Sequence, residues 1–251
     1  MMTFSIAWRE FKNLFLSPLA WCVLAVILFI NAWVFLVQVD NFLKISPSLA
    51  GMPNAPGVTD AVAGAVFSTA SVVMLMVVPL LSMGLISGER RSGTLSLLLS
   101  APVSMTEIVL GKYLGLLMFL LIMLGLITLM PLSLALGTHL DYGKLFSGVL
   151  GLGLLLGAFS AAGLFISTLT RQPVVAAISS FGLLLMLWII SWAGSGSGDY
   201  SPVFHYLSLL DHYGSLLRGS FNTTDVAYYL LFILTFLVLS IRRLDTYRLQ
   251  H

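Results

Sequence analysis

Charge is scarce in this chain. Only 9% of the 251 residues are Asp, Glu, Lys or Arg, while 59% are hydrophobic. Soluble domains carry roughly a quarter charged residues and about half apolar ones, so the balance excludes an ordinary soluble domain and places the chain in a bilayer. The single cysteine, Cys22, lies inside an apolar run. No intrachain disulfide can form, and the thiol has no partner for redox chemistry. No phosphate-binding loop of the form Gly-x-x-x-x-Gly-Lys-Ser/Thr is present, so the chain does not hydrolyse ATP alone. The middles of the apolar runs hold no Asp, Glu, His or Lys. That argues against an ion-driven carrier and against an aspartyl or zinc intramembrane protease, each of which needs ionisable groups at membrane depth. Ser71, Ser160, Ser167, Ser179 and Ser180 have no histidine beside them in a run and read as helix-packing residues rather than nucleophiles. The net charge of +2 is no nucleic-acid footprint. Neither an internal repeat nor a low-complexity tract is visible.

What the chain does have is length without charge. A helix needs roughly 20 apolar residues to cross the hydrocarbon core. Runs near that length occur at about 19–39, 61–87, 110–136, 145–169, 173–193 and 226–241, the last being the shortest. They are apolar all round, whereas barrel strands alternate apolar and polar over about 10 residues. The expected fold is therefore an all-α integral membrane protein of six transmembrane helices, forming a single domain over 1–251. Arg9, Glu10 and Lys12 precede a first run too long for a signal core, so the first span is expected to remain in the mature protein. With the N-terminus cytoplasmic, nine of the 12 Lys and Arg fall inside and only Lys44, Lys144 and Arg218 outside. Both termini are expected on the cytoplasmic side of the inner membrane.

Between the runs lie the segments that organise the chain. In 3–17, Phe4, Trp8, Phe11 and Phe15 recur at helical spacing, with Arg9, Glu10, Lys12 and Asn13 around the other face. This predicts an interfacial elbow helix ended by Pro18. Residues 40–60, with Pro47, Pro53, Pro56, Gly51 and Gly57, read as an irregular external connection. The segment 88–109 carries the densest charge, with Glu89, Arg90 and Arg91 ahead of Gly93 and Thr94. Leu95, Leu98 and Leu99 then make a small apolar face on a short helix over 92–100, closed by Pro102. A face of that size suits a groove on a partner protein. Arg171 and Gln172 occupy a very short second cytoplasmic link.

Outside, 194–225 begins with a Gly/Ser hinge. Val203, Tyr206, Leu207, Leu210, Tyr213 and Leu217 then suggest an interfacial or re-entrant helix before the last span. His205, Asp211 and His212 lie on it, followed by Arg218 and Asp225, while His139 and Asp141 lie in another external loop. A metal or periplasmic partner site is conceivable there, but polar faces of interfacial structure are the plainer reading and no metal site is assigned. Small residues four apart, including Gly84/Gly88, Gly111/Gly115 and Gly153/Gly157, permit close helix approach within the chain or between copies. Pro79 and Pro131 can kink the second and third spans.

The pattern Glu89-Arg90-x-x-Gly93-Thr94-Leu95-x-x-Leu98-Leu99-x-x-Pro102-Val103, with Glu107 and Gly111-Lys112 beyond it, resembles the first cytoplasmic loop of ABC transporter permeases of the short, six-span type 2 exporter class. The resemblance covers the chain in order: elbow, six spans, loop between spans two and three, and external segment. The region with His212-Tyr213, Arg218-Gly219 and Asp225 is similar to gliding-motility permeases, and more loosely to those of nitrous-oxide reductase maturation. The resemblance implies a separate ABC ATPase, binding ATP and Mg, docked on Glu89 to Pro102 with Glu107 and Lys112 close behind, and a second contact at Arg171 and Gln172. It also implies a second permease copy or related permease, and export as the direction. Composition by itself shows only a charged, apolar-faced cytoplasmic loop. Two other readings stay open: a complex that passes mechanical work to periplasmic or auxiliary membrane proteins without translocation, and a membrane scaffold or intramembrane enzyme. The substrate is not legible.

Overall fold

A computed structural model describes residues 2–49, 57–94, 103–194 and 208–249. Among them the ordered backbone is helical, with no strand. The first helix, α1 (Met2–Leu16), stops at Ser17 because Pro18 has no N–H to continue the ladder. Its corner is tied by the Trp21 indole, which donates to the Phe15 carbonyl at 2.7 Å. The first span, α2 (Pro18–Leu49), runs ten residues past its expected end. Residues 40–49 are thus helix rather than the start of an irregular connection. Pro47 sits in the last turn, where one lost hydrogen bond is tolerated, and an Asp40–Lys44 ion pair one turn apart supports the extension.

A π-turn (Thr59–Ala63) leads into α3 (Gly64–Ser82), which breaks over 83–86 before the short α4 (Ser87–Ser92). Gly93 closes α4 at φ +73°, the left-handed conformation that ends helices at glycine. A helical turn thus precedes Gly93, while the short helix expected over 92–100 falls mostly on 95–102, outside the described residues. The third to fifth spans are α5 (Met105–Leu132), α6 (Tyr142–Leu169) and α7 (Pro173–Gly194). The short α8 (Leu209–Leu217) precedes the last span, α9 (Thr223–Leu249). Expected to be the shortest, α9 is as long as its neighbours, because its helix continues through Arg242, Arg243 and Arg248 beyond the apolar run.

Six of these helices are long and apolar enough to cross a membrane. The bundle is built around α6, which packs against α3, α5, α7, α8 and α9. Leu152, Leu155, Leu156, Ala158, Phe159, Ala161, Ala162 and Leu164 are all fully buried on it. By contrast α2, α7 and α9 turn apolar side chains such as Phe29, Trp33, Ile178, Met186, Leu231 and Leu234 outward. In lipid such faces cost nothing, so helix association depends on close packing and hydrogen bonds rather than on apolar burial. Ser71 and Ser160 return their hydroxyls to carbonyls of their own helices, as such residues do where no water is at hand.

On the elbow, Phe4 and Trp8 face outward, 63% and 46% exposed, while Ile6 and Ala7 are buried and Glu10, expected on the polar face, turns inward. The reason is on α5: a Cβ at Gly111 would lie 2.7 Å from the Ile6 Cβ, and one at Gly115 would lie 2.7 Å from the Glu10 Cβ and 2.8 Å from the Ala7 carbonyl. These two glycines form the seat of α1. Gly84 and Gly88, with the same spacing, have nothing within 4 Å and seat no helix among the described residues.

A side chain at Gly115 is therefore expected to lift α1 off the bundle. Gly115→Leu should lower thermal stability in detergent by about 1–3 kcal/mol and expose 2–16 to protease. Gly84→Ala should leave both unchanged, so a comparable loss from the two variants would contradict the packing described.

Candidate functional site

The site begins at the break in the second span. Pro79 cannot donate within α3, and after Met83 donates to the Pro79 carbonyl at 3.0 Å the helix stops. At membrane depth the freed backbone groups need partners. A single hydroxyl of α6 supplies them: Ser167 Oγ accepts from the Ile86 and Ser87 N–H groups at 3.1 and 3.0 Å and donates to the Met83 carbonyl at 2.9 Å. The break is a pinned joint, and α4 hangs from it.

On α4, Glu89 points toward α5. Lys112, 1% exposed, places Nζ 2.7 Å from Glu89 Oε1 and 2.9 Å from Glu10 Oε1 of α1. Three elements separated in sequence thus meet on one ammonium. The carboxylates are 13% and 21% exposed, and Arg9 lies at the rim, 3.4 Å from Glu10. Glu89 Oε2 is buried with no hydrogen-bond partner among the described residues.

Arg90 turns the other way, its guanidinium stacked 4.4 Å from the Tyr247 ring centre on α9. Arg90, Arg91, Arg171, Gln172, Pro173 and Val174 line a cavity of about 530 Å³, so the two cytoplasmic links predicted from the sequence adjoin each other. The Thr94 hydroxyl folds back onto Ser92, 2.9 Å away, just beyond the turn at Gly93. Glu107 has a local structural duty. Its N–H donates to Ser104 Oγ and its carboxylate accepts from the Ser104 N–H, each at 3.2 Å, forming a capping box that starts α5. Leu95, Leu98, Leu99 and Pro102 lie outside the described residues.

The external candidates form a separate cluster at the α8–α9 end. His212 Nδ1 is 2.6 Å from Asp225 Oδ1, its ring stacks on Tyr228 at 4.2 Å, and the Ser215 hydroxyl donates to the other Asp225 oxygen. Ser208 caps α8 by accepting from the Asp211 N–H at 3.1 Å. Arg218 closes α8 through its backbone, and Gly219 follows at φ +84°. Tyr213 donates to the Phe67 carbonyl at 2.9 Å, and burial pushes its phenol well above the ordinary range, so it stays a neutral donor. Tyr229 donates to the Leu209 carbonyl and Ser147 to the Leu216 carbonyl, both at 2.7 Å. The helix is docked on the bundle rather than lying apart from it. Asp141, considered with His139 as an external ligand, caps α6 instead. His205 lies outside the described residues. Among the described residues no three His, Cys, Asp or Glu side chains group as a metal site.

Six spans in this order, with an elbow seated on the third and a jointed charged segment after the second, agree with the comparison of the sequence with known families. Residues 4–249 match the family described as ABC-2 family transporter protein. The chain belongs to that family. It is thus a multi-pass membrane subunit of the ABC permease kind, and membership implies an ABC ATPase partner in the transporter. Subunits of this family are generally non-catalytic. No curated protein matched the chain in a search.

Sequence reasoning missed three residues of the site around Lys112 and Arg90. Glu10 was placed on the polar face of the elbow, yet it is one turn from Ile6 and shares the buried face. Ser167 and Tyr247 gave no local signal, because each acts on a segment about 80 or more residues away. Lys112 did carry a signal, since a lysine at the end of an apolar run needs a counter-charge from outside it.

Removing that ammonium should be costly. Lys112→Met leaves two half-buried carboxylates facing each other and is expected to destabilise the permease by about 3 kcal/mol in detergent unfolding, with Glu10→Gln milder because Glu89 still pairs. Ser167→Ala strands two N–H groups and should cost about 1–3 kcal/mol. Unchanged melting for Lys112→Met would show that the triad carries no stability.

Proposed function

We propose that the permease is the membrane subunit of an ABC exporter in the inner membrane, and that a separate ATPase, binding ATP and Mg, drives it through the segment 88–109. The observation that carries this reading is Lys112, whose buried ammonium holds Glu89 of α4 and Glu10 of α1 at once. A force on α4 is resisted at the Ser167 joint and passes through Glu89 to α5 and α1 together. The excess of Lys and Arg at this end favours the cytoplasmic side, where an ATPase would be. Arg171 and Gln172, across the cavity from Arg90 and Arg91, offer the second contact. The outward apolar faces of α2 and α9 suit a second permease copy or a related one around a shared path. Glu107 serves by starting α5 at a defined residue, so that the Lys112 ammonium meets the loop in register.

The test uses the permease co-purified with its ATPase and reconstituted in liposomes. Glu89→Gln is expected to abolish permease-dependent stimulation of ATP hydrolysis while the ATPase still co-purifies and the bundle keeps its melting temperature within a few degrees. Stimulation equal to that of the unaltered complex would sink the role assigned to α4.

A further inference from the structure

Among the described residues, Arg90 has no carboxylate beside it. Arg90 Nε and Nη2 are buried and have no hydrogen-bond acceptor among the described residues. The charged groups bearing on Arg90 from the elements packed around it are Arg171 and Arg243, both of its own sign, besides the Tyr247 ring. Its neighbour Glu89 is turned away onto Lys112. A half-buried guanidinium with two enclosed donors beside like charges calls for an anion, and a planar fork of donors suits phosphate.

A second observation points to what carries that anion. Between α3 and α7 lies a groove of about 300 Å³ lined by Met76, Pro79, Leu80, Ala177, Ile178 and Phe181. The groove and the basic cavity share one face of α7. Val174 lines the cavity, Ile178 one turn later lines the groove, and both are exposed, at 60% and 67%. A soluble anion would use only the first of these sites and a neutral lipid only the second. An amphiphile with a negative head fits both.

We propose that this is a site for an anionic phospholipid of the cytoplasmic leaflet, its phosphate between Arg90 and Arg171 and one acyl chain in the α3–α7 groove. The inference rests on the orientation read from the charges and not on ATPase coupling. Because Arg90 and Glu89 share α4, a bound head steadies the helix that Lys112 holds from its other side.

Native mass spectrometry of the purified full chain tests this, with phosphatidylglycerol and phosphatidylcholine of identical chains as probes and glycerol phosphate as the soluble head. Phosphatidylglycerol is expected to be retained about tenfold over phosphatidylcholine, and Arg171→Gln should weaken that retention about fivefold, the usual worth of one basic residue facing an anionic lipid. Ile178→Trp, which fills the groove, should reduce retention of the lipid. Arg90→Gln should act like Arg171→Gln, and the exposed position of Arg171 keeps the test valid if loss of Arg90 loosens α4. Equal retention of the two lipids, or no effect of either arginine variant, would overturn the proposal. So would glycerol phosphate binding as tightly as the lipid, which marks a soluble-anion site. Displacement of the lipid by the co-purified ATPase would overturn it in favour of an acidic side chain of that partner. Efficient disulfide cross-linking of Ile178→Cys between copies would overturn it in favour of a dimer interface.

Discussion

An ammonium that is 1% exposed at the end of a membrane span persists only if carboxylates come to it, and the α1–α4–α5 end of this permease is arranged around that requirement. Lys112 is rooted in α5, so Glu10 has to arrive on the elbow and Glu89 on the segment after the second span. The elbow can approach because Gly111 and Gly115 remove the side chains that would hold it off. Both glycines lie within a turn of Lys112, one beside it in sequence, so steric access and counter-charge are met on the same stretch of α5. Breaking the ion triad and filling the glycine seat are two ways of undoing one contact.

The second constraint is the hydrogen-bond deficit at the break in span two. A helix interrupted inside a bilayer normally exposes backbone groups that nothing in lipid can satisfy. Here Ser167 takes two N–H groups and returns one O–H, which allows the chain to change direction at depth and present α4 at an angle independent of α3. The joint is anchored to α6, the most enclosed helix of the bundle. Movement of α4 is therefore referred to the centre of the protein, while its charged side chains reach outward to α1, α5 and α9.

The opposite end of the bundle is held differently. Three buried hydroxyls, on Tyr213, Tyr229 and Ser147, tie α8 to α3, α9 and α6 through backbone carbonyls, and the His212–Asp225–Ser215 group adds a side-chain hydrogen-bonded tie. Hydrogen bonds to carbonyls position a helix without introducing charge into the bundle. The other end is held by one buried ammonium that two carboxylates of separate elements share.

Six spans, an all-helical fold, a bilayer setting and the place of the charged segment were legible in the sequence, because run length and composition alone decide whether a helix can cross lipid. Boundaries were legible only where apolarity coincided with helix. The extension of α2 through 40–49 and of α9 past Arg242 was missed because polar residues continue a helix outside the hydrocarbon without any hydropathy signal. Glu89, Arg90, Arg171 and Lys112 could be named as a group of interest from their charge. Which of them pair was decided by tertiary structure, since Glu10 is 102 residues from Lys112 and Ser167 is 81 from Ile86. Local pattern reports which residues need partners, and only the packing of α1, α4 and α6 around α5 and the broken span determines which partners they receive.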